Sequence, residues 1–305
     1  MNEIKIDTLI DLNLENYISL TKYIDNHNYV DKFTSPIALL GWVYYGYEFK
    51  FRISEINNVI LIYIKNKNKQ WKLCSSFYSL DNLDLNNIYK VVKNDLFELN
   101  GNSEILYDNI IEEMINDWKI DRNKLVQLNY YSNYIYLTET FKTFAGKKLQ
   151  KKRNHLNNFI KQNYPYELIK LDNFKNKKLL LDYIKNHNRR YQNKDNDSEL
   201  KFYEDLIFEE INRTEEYVGL VILINKEIVG VTISYLRKDI CEIVLEKAEH
   251  EIPGLYQFLI QQNLIVNNIN QKYVDRQDDA FIEGLRKSKL SYYPILCISR
   301  FSSKV

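Results

Sequence analysis

Hydrophobic positions follow two periods along this chain. From 217 to 224 (YVGLVILI) they run almost unbroken; Asn225-Lys226-Glu227 interrupts them, and 228–236 (IVGVTISYL) and 241–248 (CEIVLEKA) resume the run. Short β-branched runs bounded by polar turns predict strands. After Glu249-His250-Glu251-Ile252-Pro253-Gly254 the period changes to that of an amphipathic helix over 255–269. A strand feeding a glycine turn and a helix start leaves backbone N–H groups unpaired along the helix dipole, which predicts an anion site there.

The same two periods divide the rest of the chain. Ile10, Leu14, Tyr17 and Ile18 recur at helical spacing within residues 1–30, and Ser35-Pro36 opens a further helix. Strands are expected at 47–53, 59–65 and 71–77, the first two joined by a turn at 55–58, followed by helices at 85–99 and 103–118. A second unit then begins with an aromatic strand at 130–137. A long basic helix over 141–163, a strand at 166–171, helices at 175–191 and 198–212 around a polar loop at 193–198, and the run described above follow it. A short helix at 282–290 and a strand at 292–301 close the pattern. The expectation is an α/β (α+β) chain with lobes at 1–128 and 129–305, each a mixed, mostly antiparallel sheet flanked by helices.

Composition narrows the chemistry. With 305 residues there is room for two ordinary cores. Lys and Arg number 42 against 41 Asp and Glu, so no global field draws in nucleic acid or anionic lipid, and any such contact is local. Cys74, Cys241 and Cys297 are far apart and lack CxxC spacing, which argues against a disulfide framework or a zinc site. The N-terminus is acidic and periodic rather than a signal peptide, and no apolar run reaches the ~20 residues that span a bilayer. A cytoplasmic protein without metal or tightly bound cofactor is expected. Walker, dinucleotide-fingerprint and HExxH motifs are absent.

Two stretches carry candidate chemistry. In Phe144-Ala145-Gly146-Lys147-Lys148-Leu149-Gln150-Lys151-Lys152-Arg153-Asn154-His155, five of the seven residues from 147 to 153 are basic. On a helix, Lys148, Lys151, Lys152 and His155 share one face, and an anionic partner would relieve their repulsion. In the second stretch, 275–294, Arg286 and Lys289 fall on one helical face, with Asp279 near that helix's N-terminus, where a carboxylate is favoured. A solvated basic face and a capped, salt-bridged helix are the plain structural alternatives.

Taken together, these residues resemble the C-terminal domain of phosphatidylglycerol lysyltransferases and its stand-alone relatives. The resemblance rests on residues 144–159, on Glu246-Lys247-Ala248 followed by Gly254-Leu255-Tyr256-Gln257, and on Arg276, Asp279, Gly284, Leu285, Arg286, Lys289, Ser291, Tyr292 and Pro294. It implies two GNAT-like acyltransferase lobes and transfer of an acyl or aminoacyl group to an amine or hydroxyl, with aminoacyl-tRNA as the family's donor. The segment Arg276-Gln277-Asp278-Asp279-Ala280-Phe281 departs from the family pattern, having lost one acid and one glycine.

On this reading Glu246 is the base or acceptor orienter, Tyr256 the proton donor to the leaving group, and Asp279 an amine ligand or support for the cations. Arg276, Arg286, Lys289 and Gly254 bind the donor, and Lys151, Lys152, Arg153, Asn154 and His155 face tRNA. His250 lies in the loop before the helix. Glu249 and Glu251 would repel the pyrophosphate of coenzyme A, which favours charged tRNA. The alternatives are an acyl-CoA-dependent N-acyltransferase and a non-catalytic binding module. The acceptor is expected to be a small molecule, peptide or lipid.

Overall fold

The computed structural model describes residues 6–54, 58–65, 70–81, 83–162, 165–192, 197–210 and 214–304. Most of the turn expected at 55–58 and of the loop expected at 193–198 lies outside these residues. The chain divides into two compact units, Met1–Asn133 together with Ile298–Val305, and Tyr134–Cys297.

The first unit contains β1 (Ile10–Asp11), α1 (Tyr17–Asp25), α2 (Pro36–Tyr44), β2 (Glu48–Ser54), β3 (Val59–Lys65), β4 (Trp71–Tyr78), α3 (Leu85–Asn100) and α4 (Glu112–Asp117). Its sheet runs β1-β2-β3-β4 and is antiparallel throughout. The continuous apolar run of β3 is central and buried on both faces. Ile88, Val92 and Leu96, at helical spacing on α3, join the unit's hydrophobic core with Leu61, Leu73 and Trp118. Pro36 stands in the first turn of α2, as Ser35-Pro36 suggests.

Two helices expected here are shorter than their periodicity implies. Ile10 pairs with Phe51 in β1 rather than opening a helix. Between β1 and α1, the Asn13 side chain accepts from the backbone N–H groups of Glu15 and Asn16, and Asn16 donates to the Asp11 carbonyl, so local side-chain bonds set a turn. Within the helix expected over 103–118, Tyr107 bridges to Leu73 as extended chain. Asn109 adopts φ +59°, and helix survives only in α4.

β5 (Leu125–Leu137) carries the chain into the second unit. There follow α5 (Thr138–Thr143), α6 (Gln150–Lys161), β6 (Tyr166–Lys170), α7 (Lys177–Gln192), α8 (Asp197–Asp205), β7 (Tyr217–Ile224), β8 (Glu227–Leu236), β9 (Ile240–Ala248), α9 (Leu255–Val266), β10 (Tyr273–Asp275), α10 (Glu283–Leu290) and β11 (Leu296–Ser303), which returns the chain to the first unit. The second unit's strands run β5-β10-β9-β8-β7-β6, antiparallel except for the β9–β10 pair. Asn225 and Lys226 both adopt positive φ in the β7–β8 turn, matching the right-handed twist of the strands they join.

The long basic helix expected over 141–163 is two helices. Phe144 at φ +48° caps α5, and Gly146 at φ +87° turns the chain before α6 begins at Gln150. Lys147 and Lys148 therefore precede the helix and do not share a helical face with Lys151, Lys152 and His155. The expected 198–212 helix passes into a π-helical turn at Leu206–Glu210, and its last residues fall outside the described set. β10 is too short for its hydrophobic pattern to announce it.

Candidate functional site

The site forms where the end of β9, the loop after β10, the first turn of α9 and α6 converge in the second unit. Glu246 sits near the end of β9, directly across from Thr232 of β8. Both therefore lie on the same face of the sheet. That face looks toward α9: Asn263 of α9 hydrogen-bonds Ser234 at 2.9 Å, and Leu259 lies where a Cβ on Gly230 would touch it. Lys247, one residue on, faces the other way, against Glu199 and the Tyr203 ring.

Arg276 is the centre. Its Nη2 lies 3.1 Å from Glu246 Oε1 and 3.0 Å from Oε2, with side-chain exposures of 10% and 8%. Only the Oε1 contact has hydrogen-bond geometry; Glu246 Oε2, Arg276 Nη1 and Thr232 Oγ1 are buried without hydrogen-bond partners among the described residues. The guanidinium lies 5.1 Å from the Tyr292 ring centroid and 5.8 Å from that of Phe141. The Tyr292 hydroxyl accepts from Gln257 Nε2 at 2.7 Å, which fixes the ring.

Lys152 of α6 reaches the same ring, its Nζ 4.0 Å from the centroid. Burial, aided by Arg276 and Lys151, lowers its pKa from the ordinary lysine value to about 8. Two cations thus share one aromatic ring, and Glu246 is paired with only one of them. Tyr256, in the first turn of α9, lies within electrostatic reach of both Glu246 and Arg276. Burial holds its phenol above the usual range, so it stays protonated at neutral pH.

Other sequence candidates serve the framework. Asp279 is 0% exposed and accepts from Arg286 Nε at 2.8 Å, Tyr134 Oη at 2.7 Å and the Phe281 N–H at 3.0 Å. Lys289, 6% exposed, donates to the carbonyls of Arg276 at 2.5 Å, Gln277 at 3.4 Å and Asp278. It holds the loop that presents Arg276, and burial lowers its pKa to about 8. Arg153 donates to the Phe144 and Gly146 carbonyls, closing the turn before α6. Lys151 and Asn154 are exposed.

Gly254 acts through backbone. It adopts φ +87°, and a Cβ there would overlap the His155 carbonyl oxygen. The start of α9 is therefore packed closely against α6 at Gly254. Of the predicted residues, the fold gathers Glu246, Tyr256, Arg276 and Lys152. It adds Thr232, Phe141, Gln257 and Tyr292, whose aromatic and amide types signal packing as readily as a site.

The profile of the phosphatidylglycerol lysyltransferase C-terminal family matches residues 109–303. An uncharacterized protein of Mycoplasmoides gallisepticum is 33% identical over 177 residues, 57% of this chain and 56% of that protein. The chain thus spans just over half the length of this curated relative. Among solved structures, a conserved protein of unknown function from Bacteroides thetaiotaomicron superposes with TM-score 0.78 at 22% identity, covering 98% of this chain and 100% of that one. L-PGS from Bacillus licheniformis gives 0.61 at 14% identity, covering 99% and 94%. A tandem GNAT protein from the clavulanic acid biosynthesis pathway gives 0.52 at 7%, covering 97% and 98%; at these identities the likeness is one of fold.

Proposed function

The chain belongs to the phosphatidylglycerol lysyltransferase C-terminal family, and from that premise we propose that it transfers an aminoacyl group from charged tRNA to an amine or hydroxyl acceptor in the cytoplasm. The observation that carries this reading is the pairing of Lys152 and Arg276 on the Tyr292 ring, with Arg276 Nη1 and Glu246 Oε2 beside them left without hydrogen bonds among the described residues. Buried polar atoms without partners cost free energy, so a ligand that supplies partners is favoured. The cations suit an anionic or carbonyl oxygen. The carboxylate suits an ammonium or the proton of an attacking nucleophile.

The steps follow from these positions. The acceptor's nitrogen or oxygen attacks the ester carbonyl carbon, with Glu246 orienting it and taking up charge as its proton leaves. Negative charge on the carbonyl oxygen is met by Arg276 or Lys152. The carbon–oxygen bond to the tRNA ribose breaks, and Tyr256 protonates the leaving oxygen. Holding both reactants in this geometry supplies much of the rate.

Aminoacyl-tRNA is favoured over coenzyme A by the covered start of α9, where the His155 carbonyl lies against Gly254. The neighbouring acids Glu249 and Glu251 also disfavour a pyrophosphate. The test is a set of charged tRNAs offered with candidate amines, following the amino acid from RNA to acceptor. Transfer that falls at least 100-fold in Glu246→Gln, with folding intact, supports the reading; turnover of acetyl-CoA alone replaces it with a conventional N-acetyltransferase. Binding of a charged tRNA without turnover replaces it with a binding module.

A further inference from the structure

Beside Tyr256 stands a second cluster that the proposed steps do not use. His250 Nε2 lies 3.1 Å from the Tyr256 hydroxyl. Its ring stacks on Tyr191, with centroids 4.0 Å apart and planes at 19°. Tyr191 is itself pinned: its one hydroxyl proton is shared between the Glu249 carboxylate, 3.0 Å away, and that of Glu251, and Glu249 is held by a two-pronged ion pair from Arg190 at 2.9 and 2.7 Å. His187 meets both His250, edge-on at 5.6 Å between ring centroids, and Tyr191 at 4.6 Å; its Nε2–H donates to the Ala248 carbonyl at 3.0 Å, and burial lowers its pKa to about 4. His250 is exposed, whereas Tyr256 is half-buried toward Glu246 and Arg276.

An exposed imidazole bonded to an inward phenol is a path for a proton between water and the site. Once Tyr256 has given up its proton, turnover requires that another group replace it. His250 Nε2 is in position to do so. The elaborate fixing of Tyr191 makes sense as a platform that keeps the imidazole edge on the phenol; an exposed histidine without that platform would sample several rotamers.

The geometry points to His250 as a proton relay that recharges Tyr256 during acyl transfer, with Tyr191 as its positioning residue. This deepens the transferase reading and rests on it. The balance is simple. Tyr256 passes its hydroxyl proton to the leaving oxygen as the carbonyl carbon–oxygen bond breaks; protonated His250 passes its Nε2 proton to the phenolate and regains one from water. The proton lost by the acceptor leaves through Glu246, so the net change is acyl ester plus acceptor–H to acylated acceptor plus free hydroxyl. The charged and titratable groups around the pair are Glu246 and Arg276, the buried Tyr183 and His187, and Tyr191, Arg190, Glu249 and Glu251 on the outer side.

The test compares His250→Ala, His250→Gln and Tyr191→Phe with the intact chain, using charged tRNA as donor and hydroxylamine as a stand-in acceptor. Relay predicts kcat down about 10- to 100-fold in both His250 variants with KM nearly unchanged. It also predicts loss of one limb of the pH profile, and recovery of His250→Ala, but not His250→Gln, on adding imidazole. Tyr191→Phe should give a smaller loss. A glutamine variant as active as the wild type, or no recovery with imidazole, overturns the relay while leaving the transferase intact. Should the unaltered chain transfer nothing, nitrogen NMR of the imidazoles still decides the pairing. A His250 Nε2 resonance at a hydrogen-bonded position that is lost in Tyr256→Phe upholds it, and one unchanged in that variant overturns it.

Discussion

Gly254 and Gly146 share a backbone torsion but not a neighbourhood. Both adopt φ +87°, yet a Cβ on Gly146 meets nothing within 4 Å, whereas on Gly254 it meets the His155 backbone and Phe159. Gly146→Ala should cost only the left-handed strain, about 1–2 kcal/mol. Gly254→Ala should cost that plus the displacement of α6, a further ~1–3 kcal/mol of overpacking. Urea denaturation of the two variants measures the difference, and equal losses would mean α6 does not rest on Gly254.

Lys152 supplies a pH test at the same scale. Its folded pKa, about 8, lies below the ordinary lysine value of 10.5. The folded chain therefore binds fewer protons than the unfolded chain between these values, so the lysine opposes folding at neutral pH and the penalty fades as pH rises through about 8. A bound anion stabilises the charged form. Donor affinity should thus be flat below pH 8 and fall above it, and Lys152→Met should remove that part of the dependence. Anisotropy titrations with an amide-linked aminoacyl-tRNA analogue, stable in base, would measure it; Lys289, with a similar pKa, remains as background in both proteins.

Residue types at the site were largely legible, and their partners were not. Glu246 and Arg276 stand in separate motifs thirty residues apart, and only the β9–β10 parallel pairing brings them together. The carboxylate of Asp279 is as visible in the sequence as that of Glu246. What separates them is that Asp279 is enclosed by Tyr134, Arg286 and the Phe281 N–H.

At the scale of elements, hydrophobic rhythm located β2 to β4, α3, β7 to β9 and α9 to within a few residues, because each buries a face long enough for its period to be read. It failed where a single backbone torsion or a side-chain bond overrides periodicity, as at Phe144 and Gly146, Asn109, and Asn13 with Asn16. It also failed at three-residue β10. The loop that follows β10 depends on Lys289, whose ammonium serves three successive carbonyls. Lys289→Met would leave those carbonyls buried and unsatisfied, at ~1–3 kcal/mol for each one that finds no water. The expected outcome is a lowered melting temperature together with weaker donor binding, since Arg276 lies on that loop. Unchanged binding in a folded Lys289→Met protein would separate the loop from the site.

For the whole molecule, the mixed α/β class follows from the sequence, but the return of the chain does not. Residues Ile298–Val305 belong to the first unit, where the Phe301 and Ile110 backbones bond each other at 3.0 and 2.9 Å. There Arg300 donates to Ser132 at 2.6 Å and Thr34 at 2.7 Å, with Asp31 3.9 Å away. A closing strand looks the same in sequence whichever core receives it. Arg300→Met should destabilise the first unit by about 1–3 kcal/mol, because Ser132, Thr34 and the Asn109 carbonyl lose its hydrogen bonds. Hydrogen exchange should show the loss in β3 and β4, and protection there equal to wild type would contradict it.

The measurement that bears most directly on the central claim is the affinity of aminoacylated against deacylated tRNA, in wild type and in Lys152→Gln. A site built to receive the aminoacyl ester predicts that the charged form binds wild type at least tenfold more tightly, a difference of about 1.4 kcal/mol, and that Lys152→Gln removes most of that margin. Equal affinity for the two RNAs, or a margin untouched by Lys152→Gln, would contradict the assignment of this site to the aminoacyl group.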